Sequence, residues 1–376
     1  MNRRYTFQNS VLILRKNFDS VNHIKNQIIF LFMLGSFVLL SLSSKAQDPT
    51  FTQFYQNPIY YNPALAGISD GLVIRTNYRN FWRKMNSGFN IADVTIDSEE
   101  PFLNGGLGFI AMNGIEGNGI IVSQLIGLAY SYNLPIVPRR IELQMGLQGA
   151  YAHKSIRTEN LVFSDQLDAI YGITGTSNYS SAQGDGISYP DFATGFNFRF
   201  NAGKIRGGTA ATTILTGIAL HHITQPNESL SGQKSKLPIK YVGYSSAIIK
   251  IENIYSKKTF LMPGLIYEKQ ANFENLMAGV NVKIAPVIFG LWYRKNGLIS
   301  EPASIQAIAL SAGIELGKMG SSTIRIHYSY DINISTYQNL MGDAHEISFS
   351  LTLPDSRLFN DRNYGGRNIR ACYNKF

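Results

Sequence analysis

The feature that most constrains this chain is a period-two alternation of apolar and polar residues that recurs after position 70, in segments separated by Gly, Asn, Pro and Asp. Successive side chains of a strand point to opposite faces, so each segment reads as a strand with one apolar and one polar side. In the run from Ile141, the residues Ile141, Leu143, Met145 and Leu147 alternate with Glu142, Gln144, Gly146 and Gln148. Further on, Phe192, Phe196, Phe198 and Phe200 alternate with Asp191, Gly195, Asn197 and Arg199. Ile324, Ile326, Tyr328, Tyr330 and Ile332 oppose Arg325, His327, Ser329 and Asp331, and Ile347, Phe349, Leu351 and Leu353 oppose Glu346, Ser348, Ser350 and Thr352.

A soluble antiparallel sheet alternates in the same way, so number and spacing must decide the solvent. Fourteen segments are predicted, at about 71–84, 87–97, 104–115, 119–134, 140–156, 189–201, 211–224, 237–251, 259–270, 273–284, 286–296, 303–317, 321–333 and 343–353. An even count of alternating segments, each of roughly ten residues or somewhat more, is the signature of an antiparallel transmembrane β-barrel, with short periplasmic turns and long outer loops. The longest gaps, 157–188, 225–236 and 334–342, follow odd segments, whereas Pro135 to Arg139, Ala285, and Lys318 to Gly320 follow even ones. The gaps after segments one, three and nine are also short, so the parity is incomplete. This arrangement predicts that both termini lie in the periplasm.

Ahead of the barrel, residues 28–42 form an apolar run (IIFLFMLGSFVLLSL), preceded by Arg3, Arg4, Arg15, Lys16 and Lys25 and followed by Ser44-Lys45-Ala46. The run is short for a helical span, which needs roughly 20 residues, and its flanks are those of a signal peptide cleaved after Ala46. The expected organisation is therefore a signal peptide over 1–46, an N-terminal periplasmic or plug segment over 47–70, the barrel over 71–353 and a periplasmic tail over 354–376. Removing 1–46 leaves 28 basic against 24 acidic residues, a net charge of +4. That balance gives little support to nucleic-acid binding. The single cysteine, Cys372, excludes an intrachain disulfide.

Signals for chemistry are sparse, and no cofactor or metal is expected. No H-E-x-x-H, C-x-x-C or Walker pattern appears. His221-His222 is the first metal candidate, but adjacent strand positions face apart, so the expectation is one histidine at an aqueous rim. His345-Glu346 has the same geometry. Glu142, Asp191, Asp331 and Glu346 lie on polar strand faces, where a lumenal network with Arg75, Arg79, Arg199 and Arg325 is expected. Gly105-Gly106-Leu107-Gly108 suits close backbone approach, and Gly114, Gly117 and Gly119 read as a turn.

Across nearly all of the chain from Gln47, the motifs resemble the PorP/SprF family of outer-membrane proteins of the type IX secretion system. They begin with Gln47-Asp48-Pro49-Thr50-Phe51-Thr52-Gln53-Phe54-Tyr55-Gln56-Asn57-Pro58, Tyr61-Asn62-Pro63-Ala64-Leu65-Ala66-Gly67 and Asn77-Tyr78-Arg79-Asn80-Phe81-Trp82. Others are Phe163-Ser164-Asp165-Gln166-Leu167-Asp168, Leu220-His221-His222-Ile223-Thr224-Gln225-Pro226-Asn227, Gly290-Leu291-Trp292-Tyr293-Arg294, Tyr328-Ser329-Tyr330-Asp331-Ile332 and His345-Glu346-Ile347-Ser348. The resemblance implies a non-enzymatic barrel in the outer membrane of a Gram-negative bacterium. Its implied partners are the lipid bilayer, type IX machinery in the periplasm and outer membrane, and a secreted or surface-anchored cargo such as a gliding adhesin. A passive porin is the alternative.

Within the matched motifs, the partner-contact candidates are Asn57, Pro58, Asn62, Pro63, His221, His222, Pro226, Asn227, Tyr330, Asp331, His345 and Glu346. The long basic segment before the apolar run departs from the family and fits a start codon placed too far upstream. So does Ala371-Cys372-Tyr373, where many relatives have Cys-Pro. Residues 47–67 are too aromatic for a disordered linker and read as a plug, a periplasmic lid or simple strand-leading structure. The tail carries Arg357, Arg362, Arg367, Arg370 and Lys375 against Asp355 and Asp361. It reads either as a solvated charged segment or as a contact for a periplasmic partner.

Overall fold

The computed structural model describes residues 48–358, except 70, 85–87, 118, 158–160, 169, 176, 178–181, 204–211, 231–233, 255–256, 298–305, 320–321, 337 and 355. The segment 1–46, the tail beyond Leu358 and Cys372 lie outside the described residues. Fourteen strands form the wall. They are β1 (Leu72–Phe81), β2 (Phe89–Glu100), β3 (Gly105–Glu116), β4 (Ile121–Val137), β5 (Ile141–Ile156), β6 (Ala182–Ala202) and β7 (Thr212–His221). The second half comprises β8 (Lys240–Ile254), β9 (Lys257–Gln270), β10 (Phe273–Ile284), β11 (Val287–Asn296), β12 (Gln306–Met319), β13 (Ser322–Asn333) and β14 (Ala344–Leu353).

Each strand pairs antiparallel with its sequence neighbour, and β1 pairs with β14 to close the barrel. Closure leaves no unpaired edge, the condition for carrying a sheet through lipid. The closing register sets Leu72 opposite Leu353 and Arg79 opposite Glu346. Among the described residues no helix is long and apolar enough to cross a membrane. Each predicted segment contains a strand; the largest boundary difference is β6, which begins at Ala182 instead of near 189.

Connections at the end where β1 starts are mostly tight, such as 138–140 after β4 and 285–286 after β10. The opposite end carries 157–181 after β5, with a small hairpin of Leu167–Asp168 and Gly172–Ile173, and 222–239 after β7. Gly117 and Gly119 have φ of 64° and 89°, and they make the turn between β3 and β4.

The outer face is apolar. Ile126, Leu128, Leu147, Ile218 and Leu291 are 53–69% exposed, a burden no water-soluble surface carries in such density. Toward the loop-bearing end Tyr78, Tyr151, Tyr241 and Tyr293 also face outward, and toward the turn-bearing end Tyr132, Phe198 and Phe200 do so. This is the paired aromatic girdle of an outer-membrane barrel. Leu128→Arg, near the middle of β4, is expected to cost about 2–4 kcal/mol in lipid. Denaturant unfolding in vesicles would measure it; a cost under about 0.5 kcal/mol would mean that this face does not meet hydrocarbon.

The inner face differs from simple polar filling. Arg75, Arg79, Asp93, Asp97, Glu142, Asp191, Arg199, Asp331 and Glu346 point inward and are buried. On β7 to β12, however, Leu215, Ala219, Val242, Tyr244, Ile248, Met262, Ile266, Met277, Ile288, Trp292 and Ala309 form a buried apolar cluster with residues of the N-terminal segment. Alternation of apolar-out and polar-in therefore weakens along this half of the wall, because the lumen is occupied by protein.

Candidate functional site: a lumen closed by the N-terminal segment

Residues 51–69 lie inside the barrel, and all but Tyr60 are buried. They form three short turns, Phe54–Gln56, Pro58–Tyr61 and Pro63–Leu65, and join no ladder of the wall. Asn57 and Asn62 precede the prolines that open the second and third turns. Proline suits a first helical position, where its missing N–H leaves no bond unmade. The Asn62 side chain accepts from Ala64 N at 2.9 Å.

The segment threads the lumen from one mouth to the other. At the loop-bearing mouth, Asp48 N donates to Gln270 Oε1 at 2.8 Å and the Asp48 carboxylate meets His222 Nε2 at 2.7 Å. Deeper, Thr52 N and Gln53 N donate to the two oxygens of Glu346 at 2.7 and 3.0 Å. Asn57 donates to Asp93, which also accepts from Asn77 at 2.7 Å. Asn62 Nδ2 donates to Phe196 O, Ile218 O and Tyr244 Oη at 3.0, 3.3 and 3.1 Å. At the turn-bearing mouth, Gly67 N donates to Asp97 at 3.0 Å and Arg75 Nη2 donates to Ser69 Oγ at 3.0 Å. Asp48 thus sits at the mouth opposite the one expected for the start of the exported chain, because the segment runs the length of the lumen before β1 begins.

Two features seat it. Phe54 lies edge-on to Trp292 with centroids 5.4 Å apart, and Tyr55 stacks on the same indole at 5.8 Å. Burying each such ring stabilises by about 1.5–3 kcal/mol. Across the lumen, Gly106 and Gly146 form a bare floor. A Cβ on Gly146 would overlap the backbone of Pro63 and Ala64, and one on Gly106 would overlap Ala66 and Gly67. Ser131 Oγ donates to Ala66 O at 2.6 Å beside this floor.

Toward the loop-bearing ends of β1, β13 and β14 the inward charges form one network, and further pairs lie apart from it. Arg79 Nη1 and Nη2 pair with Glu346 at 2.8 Å and Asp331 at 2.7 Å, Arg294 adds Asp331 at 3.3 Å, and Thr52 Oγ1 donates to Asp331 at 2.6 Å. Arg199 pairs with Glu142 at 3.6 Å and Arg75 with Asp97. Arg325 takes Glu315, not one of the carboxylates named from sequence, at 2.7 Å.

His221 and His222 depart from the expected opposed faces. Strand β7 ends at His221, and His222 adopts φ 58°, which turns both buried rings into the lumen with centroids 6.4 Å apart. His221 Nε2 bonds Tyr61 O at 3.1 Å, and His222 lies between Asp191 at 2.9 Å and Asp48 at 2.7 Å. Both are buried, His222 against Asp48 at the loop-bearing mouth, so neither ring stands in open water. Among the described residues no group of three or more His, Cys, Asp or Glu side chains is placed to hold a metal.

Burial disfavours the His222 imidazolium, but the Asp48 charge and the bonds to both carboxylates outweigh it and raise its pKa from 6.5 to about 10. Burial likewise opposes the Asp48 carboxylate, yet His222 and Lys240 hold it well below its ordinary 3.8. The raised histidine gives stability that is complete below pH 6.5 and lost as pH rises through about 10. The lowered aspartate gives stability present above pH 3.8 and lost on acidification. Protection of the Asp48 and Phe51 amides, taken as the intrinsic exchange rate at each pH over the observed one, should therefore be greatest between these limits and fall on either side. His222→Gln should abolish the alkaline limb; an unchanged limb in that variant would remove His222 as its source.

The remaining candidates separate by exposure. Asn57, Pro58, Asn62, Pro63, His221, His222, Asp331 and Glu346 are buried among the chain's own residues. Their contacts hold the N-terminal segment. Pro226, Tyr330 and His345 are half-buried, and Asn227 is exposed. His345 faces outward, bonded to Tyr328 at 2.6 Å and Arg83 at 2.8 Å, whereas its neighbour Glu346 faces the lumen. Pro226 and Asn227 belong to the loop after β7. Sequence reasoning did not single out Trp292, Gly146 or Arg294 as lining this site; the clearest signal was an apolar Trp292 on the same side of its strand as Arg294.

Gly67-Ile68-Ser69-Asp70-Gly71 has the spacing of a nucleophile elbow. Ser69, however, is fully buried, its hydroxyl accepts from Arg75, and it leads into a strand where an elbow opens a helix.

A family model described as type IX secretion system membrane protein PorP/SprF matches residues 43–351. Among solved structures, the chain is similar to a Pseudomonas aeruginosa FadL homologue at 12% identity, over 79% of this chain and 93% of that one, with a TM-score of 0.42. It is also similar to the CymD monoaromatic hydrocarbon channel, at 12% identity over 79% and 91% with a TM-score of 0.41. The KdgM porin matches at 7% identity over 75% and 99%, with a TM-score of 0.35. No protein of curated function matches the chain.

Proposed function

Because the chain belongs to the PorP/SprF family of type IX secretion system membrane proteins, we propose that it is a non-enzymatic outer-membrane component supporting secretion or surface anchoring of cargo proteins such as adhesins. One observation carries the choice of a scaffold over a passive pore: the lumen is filled from mouth to mouth by residues 48–69, held by ion pairs and an aromatic core. A barrel so filled offers its surfaces. On this reading the turn-bearing end meets periplasmic machinery, while the loops 157–181 and 222–239 meet cargo, with Pro226 and Asn227 as contact candidates on the second. Export by a cleaved signal peptide over 1–46 is part of the same proposal, as is a tail over 354–376 directed to the periplasm.

The test is an affinity purification of the tagged protein from native outer membranes with mass spectrometry of what co-purifies, paired with planar-bilayer recording. Recovery of periplasmic secretion components or one large surface protein, from a barrel without steady conductance, is the expected result. A barrel recovered alone with robust conductance would replace this reading by the porin.

A further inference from the structure

A water-filled channel is lined by polar groups, yet one side of this lumen carries an apolar cluster: Leu215, Val242, Ile248, Met262, Met277 and Trp292 are at most 4% exposed and face inward. Emptied, that wall would expose this cluster to water, which disfavours contact with apolar surface. The wall is therefore built to be covered by something apolar. The cover is bound as a peptide is bound. It adds no strand to the wall, its rings enter a pocket around Trp292, and its backbone and amide groups are read singly by Glu346, Asp93, Asp97 and the carbonyls of Phe196 and Ile218. The glycine floor adds selectivity, because it receives main chain at Pro63–Ala64 and Ala66–Gly67, and a Cβ at Gly67 would itself overlap Gly106.

We infer that the lumen is a peptide-binding site for an extended segment rich in aromatic residues and Asn-Pro turns. Residues 48–69 are its resident ligand, and a segment of the same chemistry from another polypeptide exchanges with it. The site recognises rings spaced as Phe51, Phe54, Tyr55 and Tyr61, an amide at the position of Asn62, and small residues over the glycine floor. This inference rests on the packing of the lumen and not on the secretion reading, which stands on the family.

The test uses the full chain folded in detergent, with a protease site inserted between Ser69 and Gly71 and cleaved after folding. A fluorescent synthetic peptide of residues 48–69 is then added, and anisotropy and co-elution are read while heat-modifiable gel mobility reports that the barrel is intact. Saturable binding at one peptide per barrel is expected, displaced by unlabelled peptide. A peptide with Asn62→Ala should compete about tenfold less well, since three acceptors lose their donor. A scrambled peptide should not compete. Three results would overturn the inference: a folded, cleaved barrel that never takes up peptide, equal binding of the scrambled sequence, or loss of the folded band on cleavage. The last would make the segment an inseparable part of the core.

Discussion

Replacing Gly146 with valine is expected to drive the N-terminal segment off its seat and turn a silent barrel into a conducting one. The Cβ alone would occupy the space of the Pro63–Ala64 backbone, and the β5 wall is held in place by pairing to β4 and β6 on both sides. Overpacking a closed core typically costs about 1–3 kcal/mol, and here the overlap is with main chain. The segment meets Gly146 between its two anchored ends, close to the one at Gly67 and Ser69, so its displacement should open the lumen from the turn-bearing mouth. Discrete single-channel steps in a planar bilayer, absent from the parent protein, would be the readout. Gly106→Val combined with Gly146→Val should raise the open fraction further. A folded Gly146→Val barrel that stays silent would mean the occlusion does not depend on this seat.

The second large effect is expected at Arg79. Its guanidinium spans Glu346 and Asp331, all three side chains are at most 4% exposed, and it also donates to Thr52 of the threading segment. Arg79→Met keeps much of the volume but leaves Glu346 with only neutral donors and Asp331 with Arg294 and the Thr52 hydroxyl. Stranding one partner of a buried pair costs about 3–5 kcal/mol. A lowered denaturant midpoint should show it, together with earlier proteolysis within 48–69. Arg79→Lys should recover less than half, since an ammonium cannot span both carboxylates in the fork geometry. Pairing Arg79→Met with Glu346→Gln should restore part of the loss. A cost below about 1 kcal/mol for Arg79→Met would mean that water reaches these charges and the lumen is not closed at this level.

The strands were legible because their signal is local. In β5 and β13 every second residue is apolar and its neighbours are Glu142, Gln144, Arg325 or Ser329, so the period, the face and the even count follow from sequence order alone. The charged candidates Arg79, Asp331 and Glu346 were legible as lumenal for the same reason. Less legible were β8 and β9. There Tyr241-Val242-Gly243-Tyr244 and Phe260-Leu261-Met262 place apolar side chains on both faces, blurring the alternation. The histidines were misplaced because adjacent positions in a strand face apart only while the strand lasts, and β7 stops between them at a left-handed His222.

The sequence by itself determined the wall: fourteen strands, their outward apolar face, the inward charges on β1, β5, β6, β13 and β14 and the family motifs. Only the tertiary structure decided what fills the wall. That residues 48–69 run from His222 at one mouth to Arg75 at the other, that Trp292 receives Phe54 and Tyr55, and that Gly106 and Gly146 serve as a floor depends on contacts between positions far apart in sequence. Each of those contacts needs a closed barrel before the two partners can meet. Local periodicity records which side of a strand a residue faces, but it carries no record of which distant segment will come to cover that side.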